Sequence, residues 1–411
     1  MQNQNWRFLS RVIAVATVTV LVVSFTTLAA AQDEAVRAMY QSAASIPTNM
    51  AGIRTYAEPP AGFNALTASD LTLASYGIPP RPDRTSDPAG YAKWAKVMTS
   101  GAKRWNGELK PGQFHSTPMK PANAPPGNAA AVSPSNGAQI GYSYNWSGVV
   151  NTNTLKKYNA KTSFYFVFSE FNVPWAQQAF ATNGGPDGLG SGGNICDGGY
   201  DIVAIWNGLD GFTGNGGGDV LQGGTASEYY CKGSSTAQYY FTWIEWYPAG
   251  SAAAYNVNPG DDIYVETWNT SDTQGNVSLF DLTLQTYATY ALTAPSGTTL
   301  VGNSAEFIVE RPCCRKVSGK SYFYPLANYI ADFWDYSGDY TFKGVLNDPG
   351  STATTTWVVN MINDANTQVI SVPNAVTNWN IGQGLTGSGM AGKFSIFFQD
   401  ENCAYIGGCA F

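Results

Sequence analysis

The chain has 411 residues, of which only 12% are Asp, Glu, Lys or Arg, and it carries a net charge of −7 at neutral pH. So few cations speak against a nucleic-acid partner, whose phosphates must be met by Lys and Arg. A single histidine, His115, leaves no material for a His-rich zinc centre, and none of it lies in the C-terminal two thirds.

Arg7 and Arg11 precede an apolar run from Val12 to Leu28, and Ala29-Ala30-Ala31-Gln32 comes next with small residues where a signal peptidase cuts. Residues 1–31 therefore read as a secretory signal peptide, removed before Gln32, and the product is expected outside the cell. No later run is long and apolar enough to form a membrane-spanning helix, so no membrane partner is expected after cleavage.

Residues 32–137 hold ten Lys/Arg against seven Asp/Glu, whereas residues 138–411 hold ten against twenty-two. A basic segment ahead of an acidic domain can dock on it at neutral pH and leave when carboxylates protonate. Asp87 as N-cap and Pro88 at the first helical position predict a helix with Tyr91, Trp94, Ala95 and Met98 on one face and Lys93, Lys96, Lys103 and Arg104 nearby. From Ser116 to Gly141 the chain is rich in Pro, Ala, Asn and Gly, which predicts an exposed linker suited to cleavage. Residues 32–137 are thus expected to be a partly helical prosegment with its linker, acting as the inhibitor of the C-terminal domain.

From Tyr142 onward, short aromatic and β-branched runs alternate with Gly, Asn and Asp. The predicted strands are Thr162 to Val173, Tyr239 to Tyr247, Asp262 to Trp268, Ser278 to Thr286, Ala305 to Glu310, Thr356 to Ile362 and Lys393 to Phe398. Many short strands with no helical segments between them predict an all-β domain over residues 138–411, an antiparallel β-sandwich of two sheets. It is expected to be a monomer.

Six cysteines in an exported chain predict up to three disulfides; Cys403 with Cys409 is the favoured local loop, while the adjacent Cys313 and Cys314 are expected to pair elsewhere. Gly188-Leu-Gly190-Ser-Gly192-Gly193 has the spelling of a dinucleotide fingerprint but lacks a strand before it and a helix after it, so it reads as a loop. Asp187, Asp197 and Asp201 match no calcium-loop spacing, and no metal is expected. Of the glycosylation sequons at Asn145, Asn269 and Asn276, the last two are expected to be open to a glycan.

With no histidine after residue 115, Ser-His and Cys-His nucleophiles are excluded from the domain, and a hydrolase there must work with carboxylates and amides. The strand Ala305-Glu-Phe-Ile-Val-Glu310 puts Glu306, Ile308 and Glu310 on one face and Ala305, Phe307 and Val309 on the other. Ahead of it stand Asn145-Trp-Ser-Gly148, Trp206-Asn-Gly-Leu-Asp-Gly211, Leu221-Gln-Gly223 and Trp243-Ile-Glu-Trp-Tyr-Pro248. In this order, and with Pro325-Leu-Ala327 and Asn360-Met-Ile-Asn363 behind them, these segments resemble the eqolisin family of glutamic peptidases.

The resemblance implies a catalytic pair of Gln222 and Glu306, cleft residues Trp146, Trp206 and Glu245, polypeptide substrates, and no cofactor. Gly223 and Asn207 depart from the residues common in the family at those steps. In such chemistry the Glu accepts a proton from the attacking water and returns it to the leaving nitrogen, while the Gln orients the water and donates to the oxyanion. Gln does not titrate and Glu ionises near pH 4.3 in the absence of other influences, which suits work in acid. The alternative for an aromatic-rich sandwich is a carbohydrate binder, or a glycosidase using Glu245 and Glu306.

Overall fold

The computed structural model describes residues 34–85, 88–124, 139–160, 162–179, 196–212, 218–317, 319–330, 339–347, 355–364, 366, 369–374 and 390–398. The signal peptide, Asp87, the Gly188–Gly193 stretch, Asp187 and the Cys403/Cys409 pair fall outside these residues. Among the described residues no helix is long and apolar enough to cross a membrane, and no cluster of His, Cys, Asp and Glu could hold a metal ion.

Among the described residues, fifteen strands build the two main layers: β1 Gln139–Ser143, β2 Trp146–Thr152, β3 Phe166–Asn172, β4 Asp197–Leu209, β5 Val220–Lys232, β6 Ser235–Tyr247, β7 Ala252–Asn256, β8 Asp262–Asn269, β9 Gln274–Asp281, β10 Thr286–Thr293, β11 Ser304–Glu310, β12 Asp339–Asn347, β13 Thr355–Ile362, β14 Val369–Asn374 and β15 Met390–Phe398. One layer runs β1-β13-β2-β11-β4-β5-β6-β7, antiparallel except for the β1–β13 pair. The other runs β14-β15-β12-β3-β8-β9-β10. They meet along one edge, where Met361 pairs with Ser371 and Ile362 with Val369. This is the expected antiparallel β-sandwich.

Alternation explains what each face does. Val203, Ile205 and Leu209 of β4, Ala305, Phe307 and Val309 of β11, and Val265 of β8 point between the layers and form one buried apolar cluster. Asn207 lies in the middle of that series and is fully buried. It is tolerated because its Nδ2 donates to Ser169 Oγ (2.8 Å) and the Val265 carbonyl (2.9 Å), while Thr267 donates to its Oδ1 (2.7 Å). The family-atypical step at 207 is therefore a satisfied polar knot tying the two sheets together.

The N-terminal residues wrap the outer face of the second layer. Helices α1 (residues 34–42), α2 (Asp70–Ser75) and α3 (Pro88–Met98) bring Tyr40, Leu73, Ala74, Trp94 and Val97 against Phe166, Phe168, Tyr264, Trp268, Phe280 and Tyr287. Docking is thus mainly apolar and aromatic, with charge added at one point: Lys93 Nζ and Lys96 Nζ both reach Glu170, at 2.9 and 3.2 Å. Residues 53–55 and 103–104 extend the same sheet beside β10.

Several local expectations are corrected. The run from Ser278 to Thr286 is not one strand; β9 ends at Asp281, and the chain turns back into β10 through Gln285 at φ 51°. Asp281 Oδ1 accepts the Leu284 N–H (2.7 Å), which makes the turn cheaper than continued extension. The exposed-linker reading fails for its first residues: Ser116 is fully buried, Met119 nearly so, and Pro121 bridges to Ser143. Cys196 pairs with Cys231, whereas Cys313 pairs with its neighbour Cys314 across a cis peptide that brings their Cα atoms to 3.0 Å. Asn269 and Asn276 are not open to glycans, for both are buried, the first donating to the Phe164 carbonyl (3.1 Å) and the second accepting from Tyr56.

Candidate active site

The outward face of the first layer is built by register. Gln222 on β5 lies opposite Glu245 of β6 on one side and Gly208 of β4 on the other, and Gly208 lies opposite Glu306 of β11. One step along, Ile308, Trp206, Gly224 and Trp243 form the next row; one further, Glu310 faces Trp146 on one side and Ala204 on the other. A Cβ at Gly208 would come within 2.8 Å of the Leu221 carbonyl and 3.0 Å of Gln222 Cβ. Glycine there keeps the centre of the face clear.

Residues 112–121 cross this face as a strap. Gly112 N–H donates to the Ser251 carbonyl (2.7 Å), and His115 pairs with Cys313 through the backbone. Ser116 N–H donates to Glu245 Oε2 (2.8 Å), Gln222 Nε2 donates to the Ser116 carbonyl (2.9 Å), and Thr117 N–H donates to Glu310 Oε1 (3.0 Å). Ser116 Oγ lies 2.9 Å from Gln222 Oε1 and also contacts Glu310 Oε2. Trp146 Nε1 holds the Thr117 carbonyl (3.0 Å), and Asn145 Oδ1 receives the Lys120 N–H (2.8 Å).

Glu310 is the most heavily bonded carboxyl of the face. Trp206 Nε1 donates to Oε2 (2.9 Å) and Asn145 Nδ2 to Oε1 (3.2 Å), in addition to the strap contacts. Trp146 and Trp206 meet edge to face, centroids 5.0 Å apart, and both are fully buried. Burial pushes Glu310 up to about 8, against the pull of its hydrogen bonds from Ser116, Thr117 and Asn145. The same cause takes Glu245 to about 7, opposed by His115 and the Ser116 N–H, while the bond to Glu245 raises His115. With the strap in place, then, burial biases Glu310 toward its neutral form at neutral pH and holds Glu245 above the ordinary carboxylate range.

Of the five residues singled out in the sequence, the structure brings four together: Gln222, Glu245, Trp146 and Trp206 all touch the strap or Glu310. Glu306 shares their face but not their hydrogen bonds. Its two oxygens have no hydrogen-bond partner among the described residues, and burial raises it well above the usual carboxylate range, with Asp210 adding to the rise. Gln222 and Glu310, by contrast, share Ser116 between them. Glu310, Asn145 and Ser116 are the site residues that the sequence reading did not select. The signal for Glu310 was present in the alternation that puts 306, 308 and 310 on one face.

With the strap in place, Trp146 and Trp206 are fully buried and present no ring face to solvent.

Residues 144–378 match the model of the Peptidase A4 family. Scytalidopepsin B of Scytalidium lignicola is 31% identical over 137 residues, which is 32% of this chain and 49% of that protein, so the chain spans about half the length of the curated relative it matches. Among solved structures, scytalido-glutamic peptidase bound to a transition-state analogue aligns with 62% of this chain and 98% of its own at 20% identity and a TM-score of 0.43. Aspergilloglutamic peptidase from Aspergillus niger aligns with 48% of this chain and 99% of its own, at 20% identity and a TM-score of 0.32. The family match takes in all four cleft segments and the Ser304–Glu310 strand, and by it the chain belongs to the Peptidase A4 family, the eqolisins.

Proposed function

We propose that the chain is a secreted glutamic endopeptidase, made as a zymogen and active in acid, with Gln222 and Glu310 as its catalytic pair. The observation that carries this reading is the peptide bond between Ser116 and Thr117: its carbonyl accepts from Gln222 and its N–H donates to Glu310. A site that grips a backbone amide at both polar ends is suited to hydrolysing one. Residues 1–31 would be the signal peptide, residues 32–137 the inhibitory prosegment, and residues 138–411 the enzyme, acting on polypeptides as a monomer.

In turnover, Glu310 as carboxylate takes a proton from water as the water attacks the scissile carbonyl carbon. Gln222 Nε2 donates to the oxyanion, and the protonated Glu310 returns the proton to the leaving nitrogen as the C–N bond breaks. Glu245 and Trp146 hold backbone groups on either side of that bond, as they hold Ser116 N–H and the Thr117 carbonyl. Departure of the strap lets water reach Glu310 and removes burial, the largest cause of its raised pKa, so it falls back toward the ordinary range and ionises in mild acid. Glu306, four residues earlier on the same face, is a neighbour rather than the base.

The test is to express the chain from Gln32, lower the pH stepwise from neutral, and follow both its mass and its digestion of a denatured protein. The parent should lose its prosegment and gain activity in acid. Gln222→Ala and Glu310→Gln should each lower kcat by roughly 100-fold or more. Glu306→Gln should keep most of the activity; an inactive Glu306→Gln beside an active Glu310→Gln would reverse the assignment.

A further inference from the structure

The strap does more than cover the site. Phe114 enters a pocket formed by Trp243 (edge to face, 5.4 Å) and Phe241 (6.4 Å), Met119 is buried beyond Thr117, and the backbone between them is held at His115, Ser116, Thr117 and Lys120. A segment anchored on both sides of one peptide bond, with that bond on the Gln222/Glu310 pair, has the arrangement of a bound substrate. What sets it apart is Ser116 Oγ, which touches Gln222 Oε1 and Glu310 Oε2 at once. Those two oxygens are the groups that would hold the attacking water.

We propose that Phe114–Met119 occupies the cleft in substrate register, with Ser116–Thr117 at the scissile position, and that the Ser116 hydroxyl stands in the place of the nucleophilic water and so protects the bond it adjoins. This rests on the reading of Gln222 and Glu310 as the catalytic pair. The hydroxyl cannot take over the water's role, because Oγ attack on its own carbonyl carbon would close a four-membered ring. A hydroxyl carries one proton, so at any moment it donates to either Gln222 Oε1 or Glu310 Oε2 while its oxygen fills the space between them. The strap is therefore a substrate with its co-reactant excluded, and its side chains report what the cleft accepts: an aromatic residue two positions before the residue that supplies the scissile carbonyl, and a small residue at that position.

Without the hydroxyl, water can enter and hydrate Glu310, which undoes part of the burial that holds the carboxyl neutral. The water oxygen bonds to the carbonyl carbon of residue 116 as a proton passes to the Glu310 carboxylate; the C–N bond then breaks and the proton returns to the Thr117 nitrogen. The products are a carboxyl at 116 and a free amine at 117.

The experiment compares the chain from Gln32 with its Ser116→Ala and Ser116→Gly variants in acid, reading cleavage between 116 and 117 by mass spectrometry and digestion of a denatured protein alongside. Crystals of Glu310→Gln combined with Ser116→Ala would show whether an ordered water bridges positions 222 and 310. The expected result is cleavage at 116–117 at least tenfold faster in both Ser116 variants than in the parent, and an ordered water in the crystals. If parent and variants all digest the denatured protein but cut 116–117 equally slowly, the role given to the hydroxyl is wrong and the catalytic pair stands. If none digests anything at any pH, the peptidase reading fails and this inference goes with it.

Discussion

Asn145 donates to Glu310 Oε1 (3.2 Å) and receives the Lys120 N–H (2.8 Å), so one amide serves both the carboxyl and the strap. Its donation favours the charged form of Glu310. In Asn145→Ala the carboxyl should therefore ionise at higher pH, moving the acid limb of the pH–rate profile upward and lowering kcat by roughly tenfold; an unmoved limb would show that the amide only positions the chain. The sequence displayed Asn145 as a glycosylation sequon and Glu310 as the second carboxylate of a strand. Period-two alternation could place Glu306 and Glu310 on one face but could not choose between them. The choice lies in partners supplied from residues 116, 145 and 206, far apart in the chain, and strand periodicity carries no information about those.

At the scale of elements, the helix expected from Pro88 was legible because its apolar positions and its flanking lysines obey helical spacing. What it lands on was not. Trp94 is fully buried against the second layer's aromatic face, and Lys93 and Lys96 converge on a single carboxylate, Glu170, whose side chain is 6% exposed. Acid acts on this contact by protonating that carboxylate, and Glu170→Gln copies the uncharged state. The variant should weaken docking of α3 by roughly 1–2 kcal/mol and shift prosegment loss to higher pH, measured by the pH at which half the chain is processed. An unchanged midpoint would assign docking wholly to the aromatic face. The strap shows the opposite limit of sequence reading: its Pro- and Ser-rich composition favours extended backbone, and composition alone does not say whether an extended segment faces water or lies in a cleft.

At the scale of the whole molecule, buried carboxyls give the fold a pH dependence that net charge alone does not reveal. Glu228 and Glu266 are fully buried, burial raising them to about 7 and about 8, with Tyr264 opposing the rise at Glu266. In the unfolded chain such groups ionise near pH 4.3. The folded pKa values lie above the unfolded ones, so the stability they contribute is fully present below about pH 4 and is lost as pH rises through 7 to 8. Thermal unfolding of the Glu310→Gln variant of the chain from Gln32 should thus show Tm falling between mild acid and pH 8. Glu228→Gln should flatten that fall by up to about 3 kcal/mol, and a Tm that rises with pH would contradict the burial argument. The sandwich itself was readable from its alternating strands; the burial of Glu228, whose oxygens have no hydrogen-bond partner among the described residues, depends on packing across strands and was not.

Because the strap belongs to the same chain as the cleft it crosses, its local concentration there is set by tethering and not by how much protein is in solution. A cut between residue 124 and β1 would sever that tether on one side while leaving every hydrogen bond from Gly112 to Lys120 in place. From then on the N-terminal segment and the β-sandwich are separate molecules, and their parting obeys mass action. Nicked protein should accordingly stay silent when concentrated and become active when diluted, after a lag set by the rate at which the strap leaves.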